Sequence, residues 1–361
     1  MTQDAFASLA APLALDRGPA WANRFAVAPL TNMQSHPDGT LSDDEYAWLV
    51  RRAQGGFGMV MTCASHVSQE GQAFSGQLAA WDDRFLPGLT RLASGIRDAG
   101  STAALQLHHG GRRADASLSG VPVLAPVDDP AKGARALTTA EVERVIADFV
   151  AAAVRAERAG FHGVEVHGAH GYLICQFLSP RNDRSDRYGG SFENRARMLW
   201  EILRGIRAAT GPDFQLGLRL TPERNGIPLA EARALAADVL AADLLDYLDM
   251  SLWDAFKETY EEEHRDRLLI DHFTGLPRGA TRLGVAGKIG SASDAAWCLE
   301  HGADFVLIGA GAILHHDFPS LALADPAFRL AHPKPREHFV RESVGPAFLD
   351  YLAADWDDFV V

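Results

Sequence analysis

Cysteine is scarce in this sequence, at three in 361 residues. Cys63, Cys175 and Cys298 are scattered, odd in number and form no CxxC pair, which argues against a disulfide framework or a zinc knuckle. Positive charge is also short. Lys and Arg number 34 against 47 Asp and Glu, a net charge of −13. A nucleic-acid surface needs Lys and Arg to displace counterions from phosphates, so that class of partner is not expected. No stretch approaches the ~18 apolar residues of a membrane span. Met1, Thr2, Gln3 and Asp4 place no positive region ahead of an apolar stretch, as a signal peptide would. The expectation is a cytoplasmic protein whose acidity serves solubility, with neither nucleic acid nor membrane as partner.

The sequence does have many short apolar runs rich in Val, Ile, Leu and Phe. They fall at 25–30, 58–62, 102–107, 163–167, 215–219, 247–251, 282–286 and 305–308. Amphipathic stretches lie between most of them, clearest at 141–159, where Val142, Val145, Ile146, Phe149, Val150, Ala153 and Val154 share one face. Thr138 or Thr139 stands where a helix N-cap would. Eight strand-then-helix units imply parallel strands joined by crossovers, and eight closes a barrel. The expected fold is therefore α/β, a (β/α)8 TIM barrel in a single domain, with the barrel at about 24–320. Residues 1–23 would cap the barrel bottom. The Pro- and aromatic-rich residues 325–361 would form a C-terminal arm on the barrel or on a neighbouring copy.

In such a barrel the C-terminal tips of the strands converge on one mouth, and the long segments after strands carry the chemistry. Here those segments are 65–87, 110–138 and 179–194. The tips read Ala28, Pro29, Leu30 and Thr31; Cys63 and Ala64; Gln106; His167, His170 and Tyr172; Arg219; Trp253; Gly287 and Lys288; Gly309 and Ala310. A lone strand-end histidine is ordinarily a hydrogen-bonded, semi-buried residue, Arg219 alone could be a core ion-pair partner, and Thr31 alone a turn cap. A zinc reading of His167 and His170 with Cys175 lacks the usual spacing, and no metal is expected.

Taken together, the tips resemble the old yellow enzyme family of FMN-dependent ene-reductases. The resemblance runs from Asn23 to about Phe318. Its most specific stretch is Gly163-Val-Glu-Val-His-Gly-Ala-His-Gly-Tyr172, continuing through Ser179-Pro180 to Asn182-Asp-Arg-Ser-Asp-Arg-Tyr-Gly-Gly-Ser-Phe-Glu-Asn-Arg195. Gln106-Leu-His-His-Gly-Gly-Arg112 and Ala28 to Thr31 add to it.

The resemblance implies FMN as cofactor, NADPH or NADH as reductant and an enone-type small molecule as substrate. It assigns His167 and His170 to the carbonyl oxygen of the substrate and Tyr172 to protonation of the α-carbon. An unperturbed tyrosine, with a pKa near ~10, stays protonated at neutral pH and can supply that proton. Thr31 would lie beside the flavin C4 carbonyl, as in one branch of the family, and Gln106 would suit the pyrimidine edge. Arg219 would favour the reduced, anionic flavin. Ala28, Pro29, Leu30, Cys63 and His167 would complete the flavin wall.

Gly287, Lys288, Gly309 and Ala310 occupy the places where TIM barrels bind phosphate. Most family members carry Arg where this chain has Ala310, and Lys288 is the candidate to supply the missing charge. Trp253, Phe256 and Phe74, with Tyr351 and Trp356 of the tail, are candidates for an apolar substrate wall. Arg112 and Arg113 could face a partner subunit, nicotinamide phosphates or solvent. A homo-oligomer is expected from the aromatic tail and family habit.

Relatives that oxidise amines or reduce dienoyl thioesters usually add an iron–sulfur and dinucleotide domain, for which this chain has neither cysteines nor length. A flavin-free aldolase or isomerase would want a Lys or Glu at a strand tip. A flavin-poor binding protein is the non-enzyme alternative, since fold alone does not fix function.

Overall fold

In a computed structural model, which describes residues 3–361, eight parallel strands close into a barrel. In chain order the strands are β1 (Phe25–Val27), β2 (Met59–His66), β3 (Thr102–His108), β4 (Val123–Ala125), β5 (Ala134–Ala136), β6 (Gly163–Gly168), β7 (Gln215–Leu220), β8 (Tyr247–Ser251), β9 (Arg282–Ala286) and β10 (Phe305–Ile308). The barrel order is β1-β10-β9-β8-β7-β6-β3-β2, and β4 with β5 forms a separate small sheet in the segment between β3 and β6. Every barrel strand corresponds to one of the apolar runs. β1 stops at Val27, short of the expected 30, although Ala28 still donates to Ile308. Pro29 has no N–H with which to extend the ladder.

The helix expected from 141 spans Thr139–Ala159, with Thr138 and Glu141 forming a capping box. Each satisfies a backbone N–H at the helix start that would otherwise lack a partner. Val142, Val145, Phe149, Ala153 and Ala156 on its inner face are buried.

One irregularity matters for the site. The register of β2 against β3 shifts between Met61 and Ala64. Side chains alternate between the faces of a strand, so an extra residue reverses which ones point inward. Met59 and Met61 lie in the barrel interior, but past the shift Ala64 takes the inner position.

The N-terminal segment seals one end. Leu13 and Trp21 pair through both backbone groups, and Trp21 enters the barrel edge-on to Tyr247 and Phe305 at 5.3 and 4.8 Å. Its Nε1 donates to Gln215 Oε1 at 3.2 Å. The tail packs back on the barrel, where Phe348 of helix Pro346–Asp355 meets Trp48 at 5.5 Å.

Candidate active site

At the C-terminal ends of the strands lies a cavity of about 850 Å³, within the usual size for small-molecule sites of roughly 300–1,000 Å³. Ala28, Pro29, Leu30 and Thr31 line one side; Ala64, Gln106, His167, His170, Tyr172 and Arg219 line others. The tail closes over it with His332, Tyr351, Asp355, Trp356, Asp357 and Phe359. A shallower groove of about 530 Å³ at Gly18, Pro19 and Phe214 lies away from the strand tips.

β6 and the turn after it position the reactive set. His167 faces inward on β6, level with Arg219 on β7. His170 is held at φ 58, a left-handed conformation uncommon outside glycine, with its N–H donating to Thr221 Oγ1 at 3.1 Å. Tyr172 sits just before helix Leu173–Leu178, half-buried, with the Arg113 guanidinium 4.4 Å from its ring centroid and His108 edge-on at 4.3 Å. Arg113 also donates to the His170 carbonyl oxygen at 2.6 Å, tying the loop after β3 to this turn.

The two histidines form a chain, where the sequence suggested two donors aimed at a common point. His167 Nε2 and His170 Nδ1 are 3.0 Å apart, and His170 Nε2 is 2.7 Å from Ser251 Oγ. Arg219 donates to the same Oγ at 3.4 Å, which leaves the Ser251 hydroxyl hydrogen for His170 Nε2. On that assignment, which rests on the network alone, His170 carries its proton on Nδ1. Burial, together with the neighbouring His170 and His108, holds His167 well below the usual imidazole range. Burial and the nearby Arg219, Arg113 and Arg224 push His170 down to about 3. Both rings are neutral at physiological pH. Burial raises the Tyr172 phenol, which therefore keeps its proton.

Beneath them lies a buried polar layer. Gln106 Nε2 donates to Glu165 Oε1 at 2.8 Å, and the Arg219 Nε lies 2.8 Å from Asp249 Oδ2. Burial raises both acids, Glu165 further through Asp249, while Arg219 pulls Asp249 back. Arg219 is thus both a cavity-lining cation and a core ion-pair partner. Gln106 Oε1 and His167 Nδ1 are buried without a hydrogen-bond partner. An unsatisfied buried acceptor costs roughly 1–3 kcal/mol, so Gln106 is set up to receive a ligand N–H. That fits the pyrimidine edge of FMN, whose N3–H is a donor.

Several expected site residues lie elsewhere. Cys63 faces away from the cavity, 3.2 Å from buried Glu45, because the register shift in β2 gives the inner position to Ala64. Phe256 packs against Trp297 at 4.8 Å, drawn down by an Asp254 turn, and Phe74 is half-buried off the cavity wall. Trp253 does line the cavity, with Arg224 over its ring at 4.3 Å.

At the expected phosphate end Ala310 reaches the wall. Lys288 is exposed and ion-paired with Asp254 at 3.0 Å. Gly287 (φ 151) lies against the Trp253–Asp254 backbone, where a Cβ would come within 2.7 Å, and Gly309 lies under Leu30. Close approach requires glycine at 287, whereas a Cβ at 309 would meet Leu30 at an ordinary 3.6 Å, and neither glycine is on the cavity wall. Among the described residues, His167, His170 and Cys175 do not form a metal-sized cluster; Glu261, Glu263 and His264 at the surface do.

Sequence reading missed Ser251, Thr221, Arg224 and Asn225 on the wall and the acids beneath it. Ser251 and Thr221 share the inward parity of Asp249 and Arg219, which is the signal that could have found them.

The profile of the NADH:flavin oxidoreductase / NADH oxidase family matches residues 8–322. The chain is 39% identical over 301 residues to the probable NADH-dependent flavin oxidoreductase YqiG of Bacillus subtilis (strain 168), covering 80% of each. It is 36% identical over 235 residues to an NADPH dehydrogenase of Clostridium acetobutylicum, covering 63% of this chain and 69% of that one. Among solved structures, the old yellow enzyme homologue from Zymomonas mobilis superposes with a TM-score of 0.80 at 25% identity, over 95% of this chain and 99% of that one. No helix of the described residues is long and apolar enough to cross a membrane. Family profile, relatives and barrel agree: this chain belongs to the NADH:flavin oxidoreductase / NADH oxidase family of old yellow enzyme type, whose members are FMN-binding, NAD(P)H-dependent oxidoreductases.

Proposed function

We propose that the chain is an ene-reductase acting on α,β-unsaturated carbonyls and similarly activated alkenes. The observation that carries this reading is the single wall on which two neutral histidines stand beside a protonated tyrosine. Bound FMN, once reduced by NADPH or NADH, supplies the hydride for the β-carbon. Gln106 would hold the pyrimidine edge through Oε1, with Arg219 offering positive charge beside it and Thr31 a hydroxyl; Ala28, Pro29 and Leu30 would pack against the ring.

A substrate carbonyl oxygen seated between His167 and His170 takes the place of their mutual contact. Ser251 keeps the His170 proton on Nδ1; once the substrate oxygen accepts that proton's hydrogen bond, His167 Nε2 is released from its acceptor role and takes the ring proton from Nδ1, which has no partner to hold it. Two neutral donors then meet the negative charge that develops on that oxygen. Tyr172 gives its proton to the α-carbon. The guanidinium of Arg113 over the ring steadies the phenolate until solvent returns a proton.

The test is a visible absorption spectrum of the purified protein under anaerobic conditions, with NADPH added and then cyclohexenone. A flavin spectrum that bleaches and then recovers, with cyclohexanone as product, is expected. Bleaching without recovery would refute the alkene as substrate. A second reading, a flavin-poor binding protein, is favoured by the phosphate end, where Ala310 brings no charge and Lys288 is engaged by Asp254. A protein that stays colourless after added FMN would support it.

A further inference from the structure

Three guanidinium groups line the active-site cavity, those of Arg113, Arg219 and Arg224. Two are already engaged. Arg219 is ion-paired with Asp249, and Arg113 is committed to the His170 carbonyl oxygen and the Tyr172 ring. Arg224, in the segment after β7, has no carboxylate partner among the described residues; its contacts are with Tyr260 and Trp253. The adjacent Glu223 pairs with Lys257 and accepts from the Tyr260 N–H, so it does not neutralise Arg224. Asp355 and Asp357 line the same cavity from the tail, and neither forms an ion pair with Arg224.

The unpaired fork is nevertheless held in place. Arg224 Cζ lies 4.3 Å from the Trp253 ring centroid and 5.6 Å from that of Tyr260, whose hydroxyl accepts from Nη2 at 2.8 Å. Glu223 (φ 44), Asn225 (φ 60) and Trp253 (φ 68) are all left-handed, a conformation that bulky residues seldom adopt. Such strain persists only where the surroundings over-determine it, and it gathers at ligand clamps. Trp253 stays 59% exposed, so its own burial does not offset that strain. Arg224 also stands near the reacting end of the cavity. Thr221, three residues earlier, holds the His170 N–H, and the Arg224 charge helps to keep His170 neutral.

We propose that Arg224 binds a carboxylate of the substrate, so that the favoured substrates are enones that also carry an acid group, the 4-oxo-2-enoic acids. The inference rests on the ene-reductase reading of this cavity. In such an acid the ketone oxygen sits between His167 and His170. The carboxylate, on the far carbon of the double bond, meets the Arg224 fork, whose planar donors match both of its oxygens. Hydride adds to the carbon bearing the carboxylate, and Tyr172 protonates the carbon beside the ketone. NADPH or NADH is the source of the electron pair, and the product is the saturated 4-oxo acid.

The test uses FMN-loaded protein with 4-oxo-2-pentenoate and its methyl ester, which share the enone and differ in charge. Turnover gives kcat/KM for each, and calorimetry with 4-oxopentanoate and its methyl ester reads binding without turnover. The wild type is expected to favour the acid over the ester at least roughly tenfold in both, as a hydrogen-bonded charge would. Arg224→Met should bring both ratios close to one. Arg224→Lys should restore part of the preference, because it keeps the charge without the fork. Tyr260→Phe, at a half-exposed position, should lower the ratios by a smaller factor by releasing the guanidinium. A wild type without preference for the acid would overturn the proposal. So would a loss in Arg224→Met that falls equally on acid and ester, which would mark the residue as structural. Failure of the ene-reductase reading looks different: neither acid nor ester would reoxidise the wild-type flavin, and the calorimetric ratio would still decide the role of Arg224.

Discussion

The two ends of the barrel are built on opposite rules. At the N-terminal end Trp21, Tyr247, Phe305, Leu13 and Met59 fill the interior with apolar surface, and the Trp21 N–H has its acceptor in Gln215. At the C-terminal end, buried polar atoms stand unpaired, histidines are kept neutral and two acids are raised within the same strands. β8 shows the contrast in five residues: Tyr247 belongs to the plug, Asp249 holds Arg219, and Ser251 orients His170. One end supplies stability, and the other spends part of it on groups arranged for a ligand.

The largest expected effect tests the sealed end. Trp21→Ala removes a fully buried ring and should cost about 3–5 kcal/mol of stability, read by denaturant unfolding. The flavin chemistry of the surviving folded protein should be unaltered; a changed reoxidation rate would break the division between the ends. His170→Ala at the mouth should do the reverse. It removes one donor to the substrate oxygen and should slow alkene reduction by roughly 10²–10³, with the unfolding midpoint little changed.

Acid should discriminate between the ends next. His66 and His109 are held near about 4 and His170 near about 3 by burial, with His108 and His167 also depressed. A histidine whose folded pKa is lowered binds fewer protons folded than unfolded, so its neutral burial costs stability as pH falls below ~6.5. Glu165 and Asp249 act in the opposite sense, because raised acids favour the folded state at lower pH. His162, His272 and His315 are lowered as well, and Glu45 and Asp148 raised, so eight histidines stand against four acids and the balance is a net loss. The melting temperature should fall from pH 7 to pH 5, and a rise would contradict the histidine assignments. Smallest is Ser251→Ala, which frees the tautomer of His170 without removing a donor; a loss of roughly tenfold in alkene reduction is expected, consistent with one neutral hydrogen bond.

How much of this was legible in the sequence follows the same division. The eight strands and the capped helix at 139–159 are carried by local periodicity, and the sealing role of the N-terminal segment by its position before β1. The cavity's His167, His170, Tyr172, Gln106 and Arg219 could be read because strand tips converge in a barrel. Cys63 could not be placed, since a register shift in β2 leaves no mark on the apolar pattern. Residue type alone points to Phe74 and Phe256 for the wall, and Trp297 claims the second. Closure by the tail depends on a return path of the chain; aromatic content pointed to Tyr351 and Trp356, whereas His332, Asp355 and Asp357 carry no such signal. Lys288 sits where phosphate reasoning puts a cation, and only the position of Asp254 shows that it is paired.

The most direct test separates the two half-reactions in Tyr172→Phe. Protein reduced anaerobically by NADPH would be mixed rapidly with cyclohexenone and the flavin absorbance followed in the wild type and the variant. Reduction by NADPH should proceed at a similar rate in both. Reoxidation by the alkene should be at least roughly 10²-fold slower in the variant, the contribution expected of a positioned proton donor. Equal reoxidation rates would contradict the assignment of Tyr172 as the donor, and a wild type that cyclohexenone does not reoxidise would contradict the ene-reductase reading itself.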